Sequence, residues 1–151
     1  MEEIIKKVKD GLGSKVKNWE EKNPRRIYIT IGREDIKEAA RFIFDDCKAR
    51  FIILSAIDTP HGFENLYHFD FDSIGTVVTL KVVIPKDDPT VDSIVSVTPA
   101  ASFIEREVYD LLGVKFTGHP DMRRLLLSDD WPDGVHPLRT EYTTNGEKKD
   151  K

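Results

Sequence analysis

Glutamine is absent from this chain of 151 residues, and cysteine occurs once, as Cys47. A single thiol excludes an intramolecular disulfide and leaves no thiolate set for a zinc or iron–sulfur site. Long apolar runs are missing as well. The two longest, 51–57 and 77–84, fall far short of the roughly 18–20 residues that cross a bilayer, so membrane attachment is expected only through partner chains. Positive charge is not in excess: 23 Lys and Arg against 27 Asp and Glu give a net charge of −4, the wrong sign for a phosphate-backbone binder. No nucleic-acid partner is expected. The amino terminus has no basic region leading into an apolar stretch, so no secretion signal is read and a cytoplasmic chain is expected. A Walker lysine loop, Gly-x-Gly-x-x-Gly, Gly-x-Ser-x-Gly and His-Glu-x-x-His are all missing, which removes the commonest signatures of a self-sufficient enzyme. Asparagine is confined to four positions while Lys, Arg and Glu abound, a composition that leans toward a hyperthermophile source.

The patterning present is that of one domain with a tail. Ile4, Ile5, Val8 and Leu12 share a helical face ahead of Gly13, predicting a short opening helix. Residues 26–31 alternate as a strand after Asn23-Pro24. A helix is expected over 34–47, with Ile36, Ala39, Ala40, Ile43 and Phe44 inward. Strand-like runs follow at 50–57, 64–72 and 76–84, the last two forming an antiparallel hairpin around Ser73-Ile74-Gly75. The stretch 91–97 fits either a last strand or a lead-in to the next helix. That helix has Thr98 as its expected N-cap, Pro99 at its first position and Gly113 beyond its end, with Ile104, Val108, Leu111 and Leu112 as its apolar stripe. The predicted fold class is α+β: a mostly antiparallel mixed sheet with helices packed on one side and an extended C-terminal tail. Residues 1–98 form the α/β part, 99–127 the motif-bearing helix and turn, and 128–151 the tail, whose end at 145–151 reads as frayed.

Residues 105–127 carry Glu105, Glu107, Asp110 and Asp121, with Arg106, Arg123, Arg124 and His119, among aliphatic side chains. Losing one partner of a buried ion pair costs roughly 3–5 kcal/mol, so this many charges beside apolar surface imply partners for them. Glu107, Asp110, His119 and Asp121 suit hard-metal or acid–base chemistry by residue type, but their spacing matches no metal-ligand signature. The plainer expectation is that Glu105, Glu107 and Asp110 pair with Arg106, Arg123 or Arg124, with Arg106 and Asp110 as an i,i+4 helix-surface pair. His119 lies in a Gly-His-Pro-Asp turn. His61, His68 and His136 lie in separate segments that nothing in the sequence joins. Arg123-Arg124 before three leucines suits an interface rim or an anion site, and Trp131 suits an interface anchor or packing within its own domain.

The order Glu105-Arg106-Glu107, Asp110, two leucines, a spacer 113–118, His119, Arg123 and Leu125-Leu126 resembles the signature of the 30-kilodalton subunit family of respiratory complex I and membrane-bound hydrogenases. The likeness covers the last third of the chain. It implies a structural subunit of the cytoplasmic peripheral arm, at the cytoplasmic side of the cell membrane, docked on the nickel–iron-hydrogenase-like large subunit beside iron–sulfur subunits. It also implies no cofactor in this chain; iron–sulfur clusters and a nickel–iron or quinone site would lie in the partner subunits. No catalytic, cofactor-binding or metal-ligating residue is expected. The architectural and interface residues it implies are Glu105, Arg106, Glu107, Tyr109, Asp110, His119, Asp121, Arg123, Arg124, Trp131 and Arg139. The Asp-Trp-Pro-x-Gly form of the tail and Thr140-Glu141 after Arg139 are more similar to the hydrogenase-type branch than to NADH:quinone oxidoreductases. A stand-alone metal-dependent hydrolase using Glu107, Asp110 and His119 is the alternative from another class, and a binding module for an anion gripped by Arg123 and Arg124 is a third.

Overall fold

The computed structural model describes residues 2–142; the expected frayed end at 145–151 lies outside them. The chain opens with α1 (Glu2–Leu12) and continues through β1 (Val16–Asn23), β2 (Arg26–Ile31), α2 (Ile36–Arg41), β3 (Arg50–Thr59), β4 (Gly62–Phe71), β5 (Thr76–Ile84) and β6 (Thr90–Asp92). Helix α3 (Ala101–Leu112) and β7 (Lys115–Thr117) complete the regular elements. Five strands form one sheet in the order β1-β2-β5-β4-β3, parallel only between β2 and β5. β6 and β7 make a separate two-stranded parallel pair. The mixed, mostly antiparallel α+β architecture agrees with the sequence reading.

Alternation decides which face of the sheet is covered. Ile27, Ile29 and Ile31 of β2, and Phe63, Tyr67, Phe69 and Phe71 of β4, are buried, while their neighbours Tyr28, Thr30, Glu64, Leu66 and His68 are half-exposed. Against the buried face pack Val8 and Leu12 of α1, Ile36, Ala39 and Ala40 of α2, and Ala101, Val108 and Leu112 of α3, all in one apolar cluster. Burying a side chain of this size contributes about 1.5–3 kcal/mol, so this layer supplies the bulk of the folding free energy. The helices therefore cover one side of the sheet, and the other side remains open.

Three local expectations need correction. Strand β1 was not legible: of its eight residues only Val16 and Trp19 are even half-buried, so an edge strand facing water shows no period-2 signal. The helix expected over 34–47 is composite, with a 3₁₀ turn at Arg33–Asp35, α-helix at Ile36–Arg41 and a π-helical turn at Phe42–Asp46, before Lys48 takes a positive φ of 59°. Thr98 does not cap α3. The helix begins at Ala101 with no side-chain cap, and tight turns from Ala101 N–H to Thr98 C=O (3.1 Å) and Ser102 N–H to Pro99 C=O (3.1 Å) lead into it. The ambiguous 91–97 stretch is both things expected of it, a short strand and then a lead-in.

Candidate docking surface

An α-helix leaves its last four carbonyls without partners inside the helix, and in α3 every one of them is taken by the chain that follows. Gly113 N–H donates to Tyr109 C=O (2.8 Å), His136 Nδ1–H to Asp110 C=O (2.9 Å), Leu138 N–H to Leu111 C=O (3.0 Å) and Arg139 Nε–H to Leu112 C=O (2.7 Å). The turn that lets the chain leave is Gly113, at φ 77°. A Cβ there would sit 2.5 Å from both His136 Nε2 and Arg139 Nη2, so glycine is required by conformation and by space. The Arg139 guanidinium also lies over the Phe63 ring at 5.1 Å, within cation–π range, and His136 meets Tyr109 edge-on at 6.1 Å. His136 thus belongs to this site, contrary to expectation. Burial holds its imidazole below its ordinary range.

Along the flank of α3, Asp110 performs the same service for a second irregular segment. Its Oδ2 accepts the backbone N–H groups of Leu125 (2.9 Å), Leu126 (2.8 Å) and Leu127 (3.2 Å), and the residue is buried. The expected pair with Arg106 is not made. Arg106 instead donates from Nε to Arg123 C=O (2.8 Å) and from Nη2 to Arg124 C=O (2.9 Å). One acid and one base of the helix therefore hold the donors and the acceptors of the segment 123–127, which lacks helix or strand. Both kinds of bond are charge-assisted, the stronger sort.

Glu105 faces inward and is fully buried. Its Oε2 accepts Ser93 Oγ–H (2.6 Å) and its Oε1 accepts Ile94 N–H (2.8 Å), which ties α3 to the loop after β6. Burial pushes this carboxyl up to about 7, against the downward pull of those two hydrogen bonds. The His119 side chain lies 4.0 Å away and is buried too. Its ring is fixed on both sides, donating Nε2–H to Ser102 C=O (3.0 Å) and accepting Asp121 N–H at Nδ1 (3.0 Å), which defines the Nε2–H tautomer of a neutral imidazole. His119 is a brace between the turn and the start of α3.

The remaining residues sit on the outside. Asp121 is paired with Arg123 (2.7 Å), whose side chain stays 83% exposed, and this guanidinium holds the Asp121 carboxyl well below the usual carboxylate range. Arg124 turns the other way, to Ser128 C=O (2.7 Å) and Asp133 (2.7 Å). The two arginines therefore do not converge on one anion. Trp131 is half-buried and donates Nε1–H to Val135 C=O (2.9 Å) within its own loop, so it packs locally. Glu107 is half-exposed and makes no ion pair among the described residues. Thus Glu105 and Asp110 do not pair with Arg106, Arg123 or Arg124; each acid binds backbone donors instead. Nor do Glu107, Asp110 and His119 assemble, since among the described residues no three His, Cys, Asp or Glu come together as a metal-ligand group. Sequence reasoning also missed Asp58, whose Oδ2 accepts Thr140 N–H (2.9 Å) and Oγ1–H (3.0 Å) and whose Oδ1 meets Lys86 at 2.5 Å. Burial raises this carboxyl, but Lys86 and Thr140 outweigh it and leave it below its ordinary range.

The frame so built displays apolar side chains. Phe103 is 65% exposed on α3, Leu126 57% in the segment that Asp110 and Arg106 pin, and Leu138 59% in the stretch whose backbone bonds to the end of α3. Fold and site define an α+β domain whose ionic side chains shape a surface. The chain belongs to the family described as the 30-kilodalton subunit of respiratory-chain NADH dehydrogenase, whose model matches residues 29–148. It is 37% identical over 142 residues to the C-type subunit of the NADH-quinone oxidoreductase of Chloroherpeton thalassium, covering 89% of this chain and 58% of that one. To the same subunit of Rhodopseudomonas palustris (strain BisB18) it is 39% identical over 126 residues, covering 80% and 62%. The chain therefore spans about three-fifths of the length of these relatives. Among solved structures, a chain of the membrane-bound sulfane sulfur reductase, an archaeal respiratory membrane complex, superimposes with a TM-score of 0.80 at 26% identity, covering 95% of this chain and 85% of that one. A trypsin-resistant fragment of Nqo5 shares the fold at a TM-score of 0.60 and 24% identity, covering 80% of this chain and 97% of the fragment. Among the described residues no helix is long and apolar enough to cross a membrane.

Proposed function

We propose that this chain is a structural subunit of the cytoplasmic peripheral arm of a membrane-bound, ion-translocating oxidoreductase of the complex I and hydrogenase superfamily. It docks on the nickel–iron-hydrogenase-like large subunit through the surface that Phe103, Arg123 and Leu126 present. The observation that carries this reading is that exposed Phe103 and Leu126 stand on neighbouring stretches, since the Arg106 guanidinium lies over the Phe103 ring at 5.7 Å and also binds the carbonyls of Arg123 and Arg124. Exposed apolar groups gathered on one surface mark interaction sites, and rigid presentation lowers the ordering cost of association. Its part in turnover is to hold the large subunit in place. The redox centres, iron–sulfur clusters and a nickel–iron or quinone site, belong to neighbouring chains.

The hydrogenase-type branch is favoured by the Asp-Trp-Pro-x-Gly loop, while the likeness to the sulfane sulfur reductase chain, which covers nearly the whole length of this one, supports a place in a respiratory membrane complex without choosing the branch. The relatives' naming as NADH-quinone oxidoreductase subunits favours the quinone-reducing branch as the second reading. The test replaces exposed residues and leaves the brace intact. Phe103→Asp with Leu126→Asp is expected to release the chain from its complex on a native gel while its own melting temperature holds. An intact, fully active complex from that variant would end the docking proposal. Mass spectrometry of the complex isolated through a tag on this chain separates the branches by the large subunit found in it.

A further inference from the structure

A sheet edge offers unpaired N–H and C=O groups, and proteins ordinarily guard such edges with charge or bulges. The two edges of this sheet differ above all in charge. β1 carries Lys17, Glu20, Glu21 and Lys22 and breaks register twice against β2. β3 pairs with β4 alone and breaks register once, between Phe51 and Ile53, and between Arg50, which is ion-paired to Asp70 and Asp72, and Asp58, which is ion-paired to Lys86, it runs seven residues without a charge. Ile52, Ile53 and Ile57 in that run are 42%, 43% and 50% exposed. Beside the edge lies a cleft of about 280 Å³, lined by the consecutive residues 53–56 on one wall and by Ile104, Glu107 and Leu111 of α3 on the other, with Leu138 at the lip. Consecutive residues of a strand point to opposite faces, so a cleft touching four in a row runs along the strand's edge.

We propose that the free edge of β3 and the α3 cleft beside it form a strand-addition site, which takes an extended segment of a partner chain as a sixth strand. Backbone hydrogen bonding to β3 supplies the attachment, and the cleft selects the side chains. The apolar wall of Ile104, Leu111 and Leu138 calls for apolar residues at alternate positions of the incoming segment. Glu107, a half-exposed carboxylate that makes no ion pair among the described residues, calls for a lysine or arginine in register with it. The cleft is lined by neither Phe103 nor Leu126, and the inference rests on the proposed function only in requiring that a partner exist.

The experiment measures hydrogen exchange across residues 51–57 in the isolated chain and in the complex purified through a tag on the same chain. These amides are expected to exchange about tenfold or more slowly in the complex, with β1 unchanged. The double substitution Ile53→Lys and Ile57→Lys, at two exposed positions, is expected to abolish that protection, while Val83→Lys, on the same open face but away from the edge, leaves it. Protection lost equally with Val83→Lys means docking on the sheet face and overturns the proposal. So does slow exchange already present in the isolated chain, or protection arising from pairing between two copies of it. A complex that forms with β3 still open overturns this inference alone, whereas a tagged chain that emerges without partners and with β3 open overturns the proposed function as well.

Discussion

The five-stranded sheet and the chain beyond Leu112 meet the same requirement by opposite means. Every buried N–H and C=O needs a partner. In the sheet the ladders between strands provide them, and side chains are left for packing. Beyond α3, regular structure among the described residues is limited to the short strand β7. Turns supply some partners there, and side chains supply the rest: Asp110 for three N–H groups, Arg106 for two carbonyls, His136 and Arg139 for the end of α3. A ladder tolerates the loss of any one side chain's polar group. A segment pinned by single side chains does not, so mutations should divide the molecule cleanly.

Asp110→Ala is the sharpest way to break that contrast. It strands three N–H groups that share one carboxylate, and at about 1–3 kcal/mol for a donor left unsatisfied the expected loss is about 3 kcal/mol or more. Chemical denaturation of the isolated chain measures it. A loss under about 1 kcal/mol would mean that water replaces the carboxylate and that the segment is not pinned.

Next in size is the pH dependence that Glu105 confers. Its folded carboxyl titrates at about 7 against an ordinary 4.5, so the native state holds the proton more tightly than the unfolded chain. That contribution is fully present below pH 4.5 and disappears as pH rises through 7, a span worth on the order of 3 kcal/mol. Asp58 and Asp121 are shifted the other way and slope oppositely. The diagnostic is therefore the stability of the natural chain minus that of Glu105→Gln. This difference should fall between pH 5 and pH 8 in urea titrations, and a flat difference would show that Glu105 is ionised throughout.

How far the sequence foretold this division follows from the same physics. Strands β4 and β5 were legible because one face of each is buried and the alternation is nearly strict. β1 was not, because an edge exposed on both faces has no pattern to read. In the segment 105–127 the residues that matter were legible and their partners were not. Charge spacing along a helix suggests ion pairs, but the acceptors and donors actually used are backbone groups of 123–127 and of the loop at Ser93-Ile94. Backbone groups occur at every position, so no residue pattern marks which ones will be met. His136 was passed over for the same reason, since a carbonyl 26 residues away leaves no trace in its neighbours.

Gly113→Ala comes third. A left-handed φ costs a non-glycine residue roughly 1–2 kcal/mol, and the new methyl displaces His136 and Arg139 from the carbonyls they cap. A total near 2 kcal/mol is expected, read as a lowered thermal midpoint. If His136→Ala in the Gly113→Ala background costs nothing further, the crowding has already broken that cap. Full additivity would show that the strain is confined to the turn.

The smallest effect is expected in the sheet, where the contrast can be sharpened from the other side. Lys81 and Glu64 meet at 2.9 Å on the open face, and their strands β5 and β4 are joined over nine residue pairs. Partly exposed pairs of this kind contribute about 0.2–1 kcal/mol, and Lys81→Met keeps the aliphatic stem while removing only the charge. The ladder beneath is untouched, so the thermal midpoint should move by no more than a few degrees, with about 1 kcal/mol or less at stake. Placing this variant beside Asp110→Ala compares one ion pair over a ladder with one carboxylate under a bare segment. Equal losses from the two would mean that side-chain charge supports both regions alike.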